Sequence, residues 1–481
     1  MNNTATKEEV CLTLQHYFGM SGVRDEFPYA KQITMGLHPQ PHQISGLRLA
    51  LSQKNSRFGL YDQTGARKTL TMQGFALYYA GMGNKTVILM PPNLFEQFNE
   101  SLRATFVGIE KFFTIHTLTE GPADRARLFA KWRATEWPDI MMMSYQQFAK
   151  LPRQRKVMKT KVRFESQEQA NAWARENQAE GEQLFTEMHR DGSGWIVKRR
   201  VPPNPDDNLS HVLKTAEYSV LVADEAQALR NESSNQHKAV AYLLGKEGDA
   251  ALMLATGTPA HNTLLDTYAL IKLVTPGKYF SQSSFERMHC IYTQEGEWSR
   301  LIGFQNKEEL HRNLYSQARR VLKDDVCTLE KPQVIEVPVV LSPEHKALYK
   351  KLVRERFLEK GDEIINALNQ QSLRMKCLQM VTTPEKFTDD KIKNEVVGMV
   401  DELLDEVGIR EEKVILFAHY HESMEMLRDH LADKGLNPAI VYGKGSANPA
   451  NIRKFLQDNT CRVMIAHPMS GGVGLNLQDV C

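Results

Sequence analysis

Eight short apolar runs, each four or five residues long, set the fold of this chain. They are Phe58–Tyr61, Val87–Met90, Ile140–Met143, Val220–Ala223, Ala251–Ala255, Val414–Ala418, Ala439–Tyr442 and Val463–Ala466. Runs this short and this continuous read as strands buried on both faces, the habit of parallel sheets. Amphipathic helical stretches separate them. Val396, Val397, Val400, Leu403, Leu404 and Val407 make one apolar stripe, and Leu427 and Leu431 continue another. Strands alternating with helices predict an α/β fold with each sheet covered on both faces. The runs cluster before about residue 275 and after about residue 395, so the expectation is two α/β lobes.

The charged region between the lobes reads as mostly helical. Ser342-Pro343 is an N-cap and N1 pair that opens one helix, with Leu348, Leu352 and Val353 on one face. Leu368, Leu373 and Leu378 suggest another helix nearby. One segment breaks the alternation. Lys161–Val201 reads as a strand (Val162–Phe164), a helix (Gln167–Glu180) and two strands (Leu184–His189, Trp195–Val201) joined at Asp191-Gly192-Ser193-Gly194. Such a glycine-rich turn is a hairpin signal. Pro202, Pro203 and Pro205 follow as a linker. This is a small α+β insertion in the first lobe. Its Lys198, Arg199 and Arg200 read either as a basic binding edge or as a solvated edge that discourages aggregation.

Composition narrows the function classes. The net charge of +2 announces no global affinity for nucleic acid, so any such site is a local patch. The six cysteines (Cys11, Cys290, Cys327, Cys377, Cys461, Cys481) form no CxxC pair. That argues against a zinc site or a disulfide framework, and for a reducing compartment. No apolar run approaches the roughly 18 residues of a membrane span.

Phe58–Leu70, FGLYDQTGARKTL, carries the first chemistry. A buried strand breaks into a polar turn with a glycine, then reaches Lys68-Thr69 and an apolar helical pattern. This is the layout of a phosphate-binding loop, in which backbone N–H groups of the turn and the helix dipole face an anion. Lys68 would reach the terminal phosphates, and Thr69 would offer its hydroxyl to a magnesium ion. The usual pattern has Gly directly before the Lys; Arg67 stands there. Taken alone, GARKT also fits an ordinary helix N-terminus with a surface lysine.

Asp224-Glu225-Ala226-Gln227 follows the strand Val220–Ala223. Two carboxylates at the C-terminal end of a buried strand sit where open α/β sheets bind ligands. Asp224 would hold magnesium and Glu225 would activate a water. The same residues also suit a helix N-terminus with acidic groups in its first turn. Thr256-Gly257-Thr258-Pro259 follows the next strand. Small hydroxyl residues around a glycine leave room for a hydrogen-bonded relay away from a nucleotide site; they also serve as an ordinary N-capped helix start.

Together these residues resemble helicase superfamily two, and within it the Swi/Snf-type ATP-dependent DNA translocases. His42-Gln43-Ile44-Ser45-Gly46-Leu47 is similar to the glutamine motif, DQTGARKT to motif I, and Pro91-Pro92-Asn93-Leu94 with Gln97-Phe98 to motif Ia. Ser144–Phe148 resembles the following DNA-contacting motif, ADEAQALRN (Ala223–Asn231) motif II, and Leu254–Phe280 motif III with its extension. Lys323-Asp324-Asp325-Val326 and Pro332 look like the linker into the second lobe. Val414–Leu431 is similar to motif IV and SGGVGLNLQDV (Ser470–Val480) to motif V. The resemblance runs from about residue 36 to the end, apart from the insertion.

The resemblance implies two RecA-like lobes with helical protrusions between them, ATP in the cleft, and DNA across the opposite face. The expected division is an N-terminal segment (1–35), lobe 1 (36–275, with the insertion at 155–208), helical linker and protrusions (276–394), and lobe 2 (395–481). Lys68, Asp224, Glu225 and Gln227 would be catalytic. Gln43 would read adenine; Thr64, Gly65, Ala66, Arg67, Lys68 and Thr69 would cradle the phosphates; Thr69 and Asp224 would bind Mg2+. Ser144, Thr256, Ser470, Gly471 and Asn476 would contact DNA, expected to be duplex. The chain stops at Cys481, before the place of motif VI and its arginine, so it reads as a truncated translocase whose missing segment a second chain could supply. The lack of chromatin-reading or long disordered tails suggests a phage or bacterial source and a cytoplasmic setting. A rival reading is a binding module that keeps the fold without hydrolysis; Arg67 and the missing motif VI favour it, and intact Lys68, Thr69, Asp224 and Glu225 oppose it.

Overall fold

The computed structural model describes residues 34–36, 39–149, 158–159, 163–177, 183–188, 194–200, 208–246, 248–295, 298–326, 333–361, 363–409, 411–443 and 448–468. Most of the N-terminal segment, the turn at 191–193, the proline linker and the glycine-rich stretch Ser470–Val480 lie outside these residues. The chain forms two compact units, Met1–Leu329 and Glu330–Cys481.

Each of the eight apolar runs holds a strand. The first unit is built on strands β1 (Arg57–Leu60), β2 (Lys85–Leu89), β3 (Ile115–Thr117), β4 (Ile140–Met143), β5 (Tyr218–Asp224), β6 (Ala251–Ala255) and β7 (Ala318–Arg319). They form one seven-stranded sheet in the order β7-β1-β6-β5-β2-β4-β3, every pair parallel. Helices α1 (Pro41–Leu51) and α2 (Lys68–Gly81) belong to one face. Alternate strand residues feed two cores. Phe58, Leu60, Val220, Val222, Met253 and Ala255 pack with Phe75 and Leu77 of α2. Val87, Leu89, Leu221, Ala223, Leu252 and Leu254 pack on the other face with Phe129, Phe148 and Leu270. Burial on both faces is why these runs are continuous rather than alternating. The edge strands β3 and β7 were not marked by the sequence. Ile115-His116-Thr117 is only half-buried, and Ala318-Arg319 is two residues long.

The α+β insertion is present. Strands Gln183–Met188 and Trp195–Arg200 pair antiparallel, and Met158–Lys159 pairs with the outer edge of the latter. Helix Gln167–Glu176 covers one face, with Ala170, Ala174 and Val197 at the contact. The Ser166 hydroxyl caps the helix by accepting from Gln169 N at 3.2 Å.

The stretch 276–394 is less helical than its sequence suggests. It carries two antiparallel hairpins, Cys290–Glu295 with Trp298–Phe304 and Phe357–Lys360 with Glu363–Asn366. Ile291, Tyr292, Ile302 and Ile364 are exposed, so no buried apolar run marks these strands. The second unit contains α3 (Pro343–Glu355), α4 (Gln370–Thr382) and α5 (Glu395–Val407). Ser342 caps α3, with Pro343 at its first turn, as the sequence indicates. Leu368 is exposed and precedes α4. Strands β8 (Val414–Phe417), β9 (Ala439–Val441) and β10 (Val463–Ala466) form a parallel sheet in the order β8-β10-β9. Among the described residues no helix is long and apolar enough to cross a membrane.

Candidate nucleotide-binding site

Three adjacent strands, β1, β6 and β5, end at the same edge of the first sheet. Their C-terminal ends deliver Asp62–Thr69, Thr256–Thr258 and Asp224–Gln227 to one place. Carboxyl ends of parallel strands are where open α/β sheets bind ligands.

The loop after β1 turns at Gly65, whose φ is 92°. Ala66 N donates to Gln63 O at 3.0 Å, and Ala66 is buried. Arg67 then enters α2 in the left-handed conformation, at φ 55° and ψ 51°. This accounts for the glycine usual at that position. A Cβ in left-handed backbone costs about 1–2 kcal/mol, which Gly avoids. Arg67 occupies the same geometry and carries that strain. Lys68 folds back over the loop, its Nζ donating to Asp62 O at 2.9 Å and Gln63 O at 3.4 Å. Burial pulls the Lys68 ammonium below its usual range, against the attraction of Asp224, Glu225 and Asp62. Thr69 follows in the first turn of α2, half-buried.

Asp224 ends β5, and its Oδ1 accepts from Glu225 N at 3.0 Å. Burial, and then the charge of Glu225, push its carboxyl up to about 7; Lys68 and the Glu225 N–H oppose this. Glu225 also holds left-handed backbone, at φ 52°. Strain of this kind in a charged residue is found where surrounding structure over-determines a functional geometry. A relay begins at its side chain. Gln227 Nε2 donates to Glu225 Oε2 at 2.7 Å, the Thr256 hydroxyl donates to Gln227 Oε1 at 2.6 Å, and Thr258 N donates to Thr256 Oγ1 at 3.1 Å. Gly257 closes the circle. A Cβ there would lie 2.5 Å from Thr64 Oγ1 and 2.9 Å from Thr64 N. The glycine therefore lets the segment after β6 rest against the phosphate loop.

Gln43, on α1, is buried, yet its amide is only half used. Oε1 accepts from Gln40 N at 2.7 Å and Nε2 donates to Arg67 O at 2.8 Å. A primary amide has two N–H donors and two acceptor lone pairs. One donor and one acceptor remain, the pair that adenine matches with N7 and its amino group. His42 Nε2 lies 3.0 Å from Ala66 O.

Residues 42–391 match the profile of the SNF2-related domain. The chain belongs to that family. It is 28% identical over 268 residues to an uncharacterized ATP-dependent helicase of Mycoplasma genitalium, covering 54% of this chain and 24% of that protein. It is 24% identical over 289 residues to a CHD3-type chromatin-remodeling factor of Arabidopsis thaliana, covering 55% and 22%. An uncharacterized ATP-dependent helicase of Bacillus subtilis is 23% identical over 284 residues, covering 54% and 48%. The chain thus spans from about a fifth to about half of these relatives. The Sulfolobus solfataricus SWI2/SNF2 ATPase core in complex with dsDNA aligns at 18% identity and a TM-score of 0.39, over 92% of this chain and 80% of that one.

In this SNF2-related chain the structure brings Gln43, Thr64–Thr69, Asp224, Glu225 and Gln227 to one edge of one sheet. The residues expected to touch DNA fare differently. Ser144 is 4% exposed and its hydroxyl is used in a capping box with Gln147. Thr256 is fully buried, with its hydroxyl in the relay. Neither side chain presents itself to a ligand; both act inside the fold. Ser470, Gly471 and Asn476 lie outside the described residues. Three contributors escaped the sequence reading. Tyr145 OH donates to Asp224 O at 2.6 Å and so fixes the end of β5. Asp62 and Arg319 form an ion pair at 2.6 Å beside the loop. Asp62 stood in plain view within DQTGARKT, but nothing in sequence joins it to a residue so distant.

Proposed function

We propose that this chain is the ATP-hydrolysing motor portion of a DNA translocase that moves on duplex DNA. The observation that carries the reading is the relay Glu225–Gln227–Thr256, set beside Lys68 and Asp224. Lys68 would leave its loop carbonyls for the terminal phosphates. Asp224 and Thr69 would hold magnesium: both are oxygen donors of the kind this ion prefers. Burial first, and then the neighbouring Glu225 carboxylate, raise the pKa of Asp224, and a cation bound there would oppose both. When bound, the ion supplies neutralisation of the phosphate charge. Glu225, fixed by its own backbone and by Gln227, would orient the attacking water and take its proton. The relay then gives hydrolysis a route to Thr256 and Thr258, so the state of the nucleotide could be felt by a bound strand. Contacts to a DNA backbone would be sequence-independent and would weaken with salt.

Arg67 supports a second reading, a binding module that has lost hydrolysis, because a strained arginine stands where the phosphates would approach the backbone. Steady-state ATP hydrolysis, with and without duplex DNA and beside Glu225→Gln, separates the two. DNA-stimulated turnover abolished by Glu225→Gln supports the motor. Nucleotide binding without turnover supports the module. For an active protein, displacement of a third strand from a triplex, without unwinding of a fork, supports translocation on duplex DNA.

A further inference from the structure

Residues Gln317–Lys323 form a strap along the phosphate loop. Gly59 N, Tyr61 N and Gln63 N donate to the carbonyls of Gln317, Arg319 and Val321 at 2.9, 2.8 and 2.9 Å. The strap also donates to two side chains of the loop. Val321 N donates to Asp62 Oδ1 at 2.9 Å, and Lys323 N donates to Gln63 Oε1 at 2.9 Å.

Arg319 is the centre of this strap. Its Nη2 and Nε donate to the two Asp62 oxygens at 2.6 and 3.3 Å. Its Nη1 donates to Ser45 Oγ at 2.9 Å and to the carbonyl of His42. One guanidinium therefore joins three pieces: the strap, the root of the phosphate loop, and α1, which carries Gln43. The Asp62 side chain is 1% exposed and that of Arg319 12%. Asp62 is tied to the loop a second time, because its carbonyl accepts from Lys68 Nζ. The fit is tight on the helix side: a Cβ on Gly46 would lie 2.6 Å from Arg319 Cζ. A planar fork with several donors makes this junction, and a lysine ammonium could not reach all its acceptors at once.

We propose that Arg319 is a positioning residue for nucleotide selection. It holds the Gln43 helix in register with the phosphate loop, so that base and phosphates are read by one rigid unit. This rests on the ATP reading above. A pair that merely stabilised the fold would weaken all nucleotides alike when removed. A positioning residue would weaken discrimination between bases, because Gln43 would lose its place relative to a phosphate anchor that remains.

The test is the affinity of the full chain for ATP and for GTP, measured by calorimetry with magnesium, in wild type, Arg319→Lys and Gly46→Ala. Gly46→Ala attacks the junction from the other side, keeps both charges and suits a helix better than glycine does. Gln43→Ala and Lys68→Ala are the references, and melting curves report folding. In both junction variants the preference for ATP should fall roughly tenfold, the scale of one misplaced hydrogen-bonding side chain. It should approach the value for Gln43→Ala, with GTP affinity retained. Adding Gln43→Ala to Arg319→Lys should lower the preference no further. An unchanged preference in both variants, a parallel loss of ATP and GTP, or a wild type with no preference for ATP would overturn the proposal. Lys68→Ala separates the two levels. If it binds nucleotide as wild type does, the phosphate-loop reading fails; if it loses binding while the junction variants keep full selectivity, only the role of Arg319 fails.

Discussion

Thr256 donates its hydroxyl hydrogen to Gln227 across 2.6 Å, and Gln227 holds Glu225 at 2.7 Å with the other end of the same amide. A side chain with both ends engaged is a link rather than a lever, so a change at Thr256 is felt at Glu225. Thr256→Val keeps the shape and removes the donor. The expected result is a fall in kcat of about tenfold, equivalent to about 1.4 kcal/mol in the barrier, with little change in KM for ATP. Steady-state kinetics with saturating duplex DNA would show it. A change in KM alone would mean that the relay acts on binding rather than on the water.

Gly257 and Thr64 touch so closely that no side chain fits between them. Gly257→Ala would press a methyl group onto Thr64 Oγ1 and onto its backbone nitrogen. The backbone atom cannot swing aside, so the phosphate loop itself must shift. Overpacking of this kind costs about 1–3 kcal/mol. Because the loop is the proposed phosphate site, much of that cost should appear as weaker ATP binding, by roughly tenfold. Calorimetric titration beside a melting curve divides the cost between the two.

Arg67 stores strain that glycine would not. At φ 55° it holds left-handed backbone, and its carbonyl must stay in place to accept from Gln43. Arg67→Gly should stabilise the folded chain by about 1 kcal/mol, less the entropy that glycine gains when unfolded. Urea unfolding followed by circular dichroism measures this. If the strain were compensated by ionic contacts of the guanidinium, Arg67→Gly would instead lower stability.

The carboxyl of Asp224 makes stability and binding depend on pH. Burial, and then Glu225, raise it from its ordinary 3.8 to about 7. The folded chain therefore holds this proton more tightly than the unfolded chain. Its contribution to stability is complete below the unfolded value and is lost as pH rises through about 7. The melting temperature of the nucleotide-free chain should decline between about pH 5 and pH 8, and Asp224→Asn should flatten that decline. Binding of ATP with magnesium near pH 6.5 should release a proton if Asp224 joins the ion, as metal ligands must be deprotonated. Calorimetry in two buffers of different ionisation enthalpy would detect it.

How far the sequence reveals this fold depends on burial. Runs such as Val220–Ala223 and Ala251–Ala255 are buried on both faces, so each position must be apolar and the strand is visible in one line of text. The edge strand Ile115–Thr117 is only half-buried, Ala318–Arg319 is two residues long, and the hairpin at Phe357–Asn366 is mostly exposed, so none of them leaves a continuous apolar run. The site divides in the same way. Lys68, Asp224 and Glu225 stand out in the sequence because a buried strand leads to each: Asp224 ends one, Glu225 follows it, and Lys68 opens the helix after the loop that leaves another. Arg319 does not, since its meaning comes from pairing with Asp62 across 257 positions. Ser144 and Thr256, expected at a DNA strand, have their hydroxyls in a cap and in the relay: a hydroxyl can cap a helix, complete a relay or meet a phosphate, and residue type alone does not choose among them.

His345 in the second unit offers a prediction independent of nucleotide. Its side chain is fully buried, with Nδ1 2.9 Å from Glu395 Oε2 and Nε2 3.0 Å from Met380 O. Glu395 also accepts from Ser342 N at 2.9 Å. These contacts join the start of α3, α4 and the start of α5. Burial alone would raise the Glu395 carboxyl, but the hydrogen bonds from His345 and Ser342 outweigh it and hold the group at about 2. The stability this gives is present above the ordinary glutamate value of 4.5 and is lost as pH falls through about 2. Glu395→Gln removes the charged acceptor that ties α3 to α5 and should cost about 1.5–3 kcal/mol, the scale of a hydrogen bond to a charged group. The loss should fall on the second unit: hydrogen exchange should rise in α3, α4 and α5, while ATP affinity, proposed above to rest on residues of the first unit, should remain. Equal exchange in wild type and variant would show that the pair contributes nothing net, its desolvation cost cancelling its attraction.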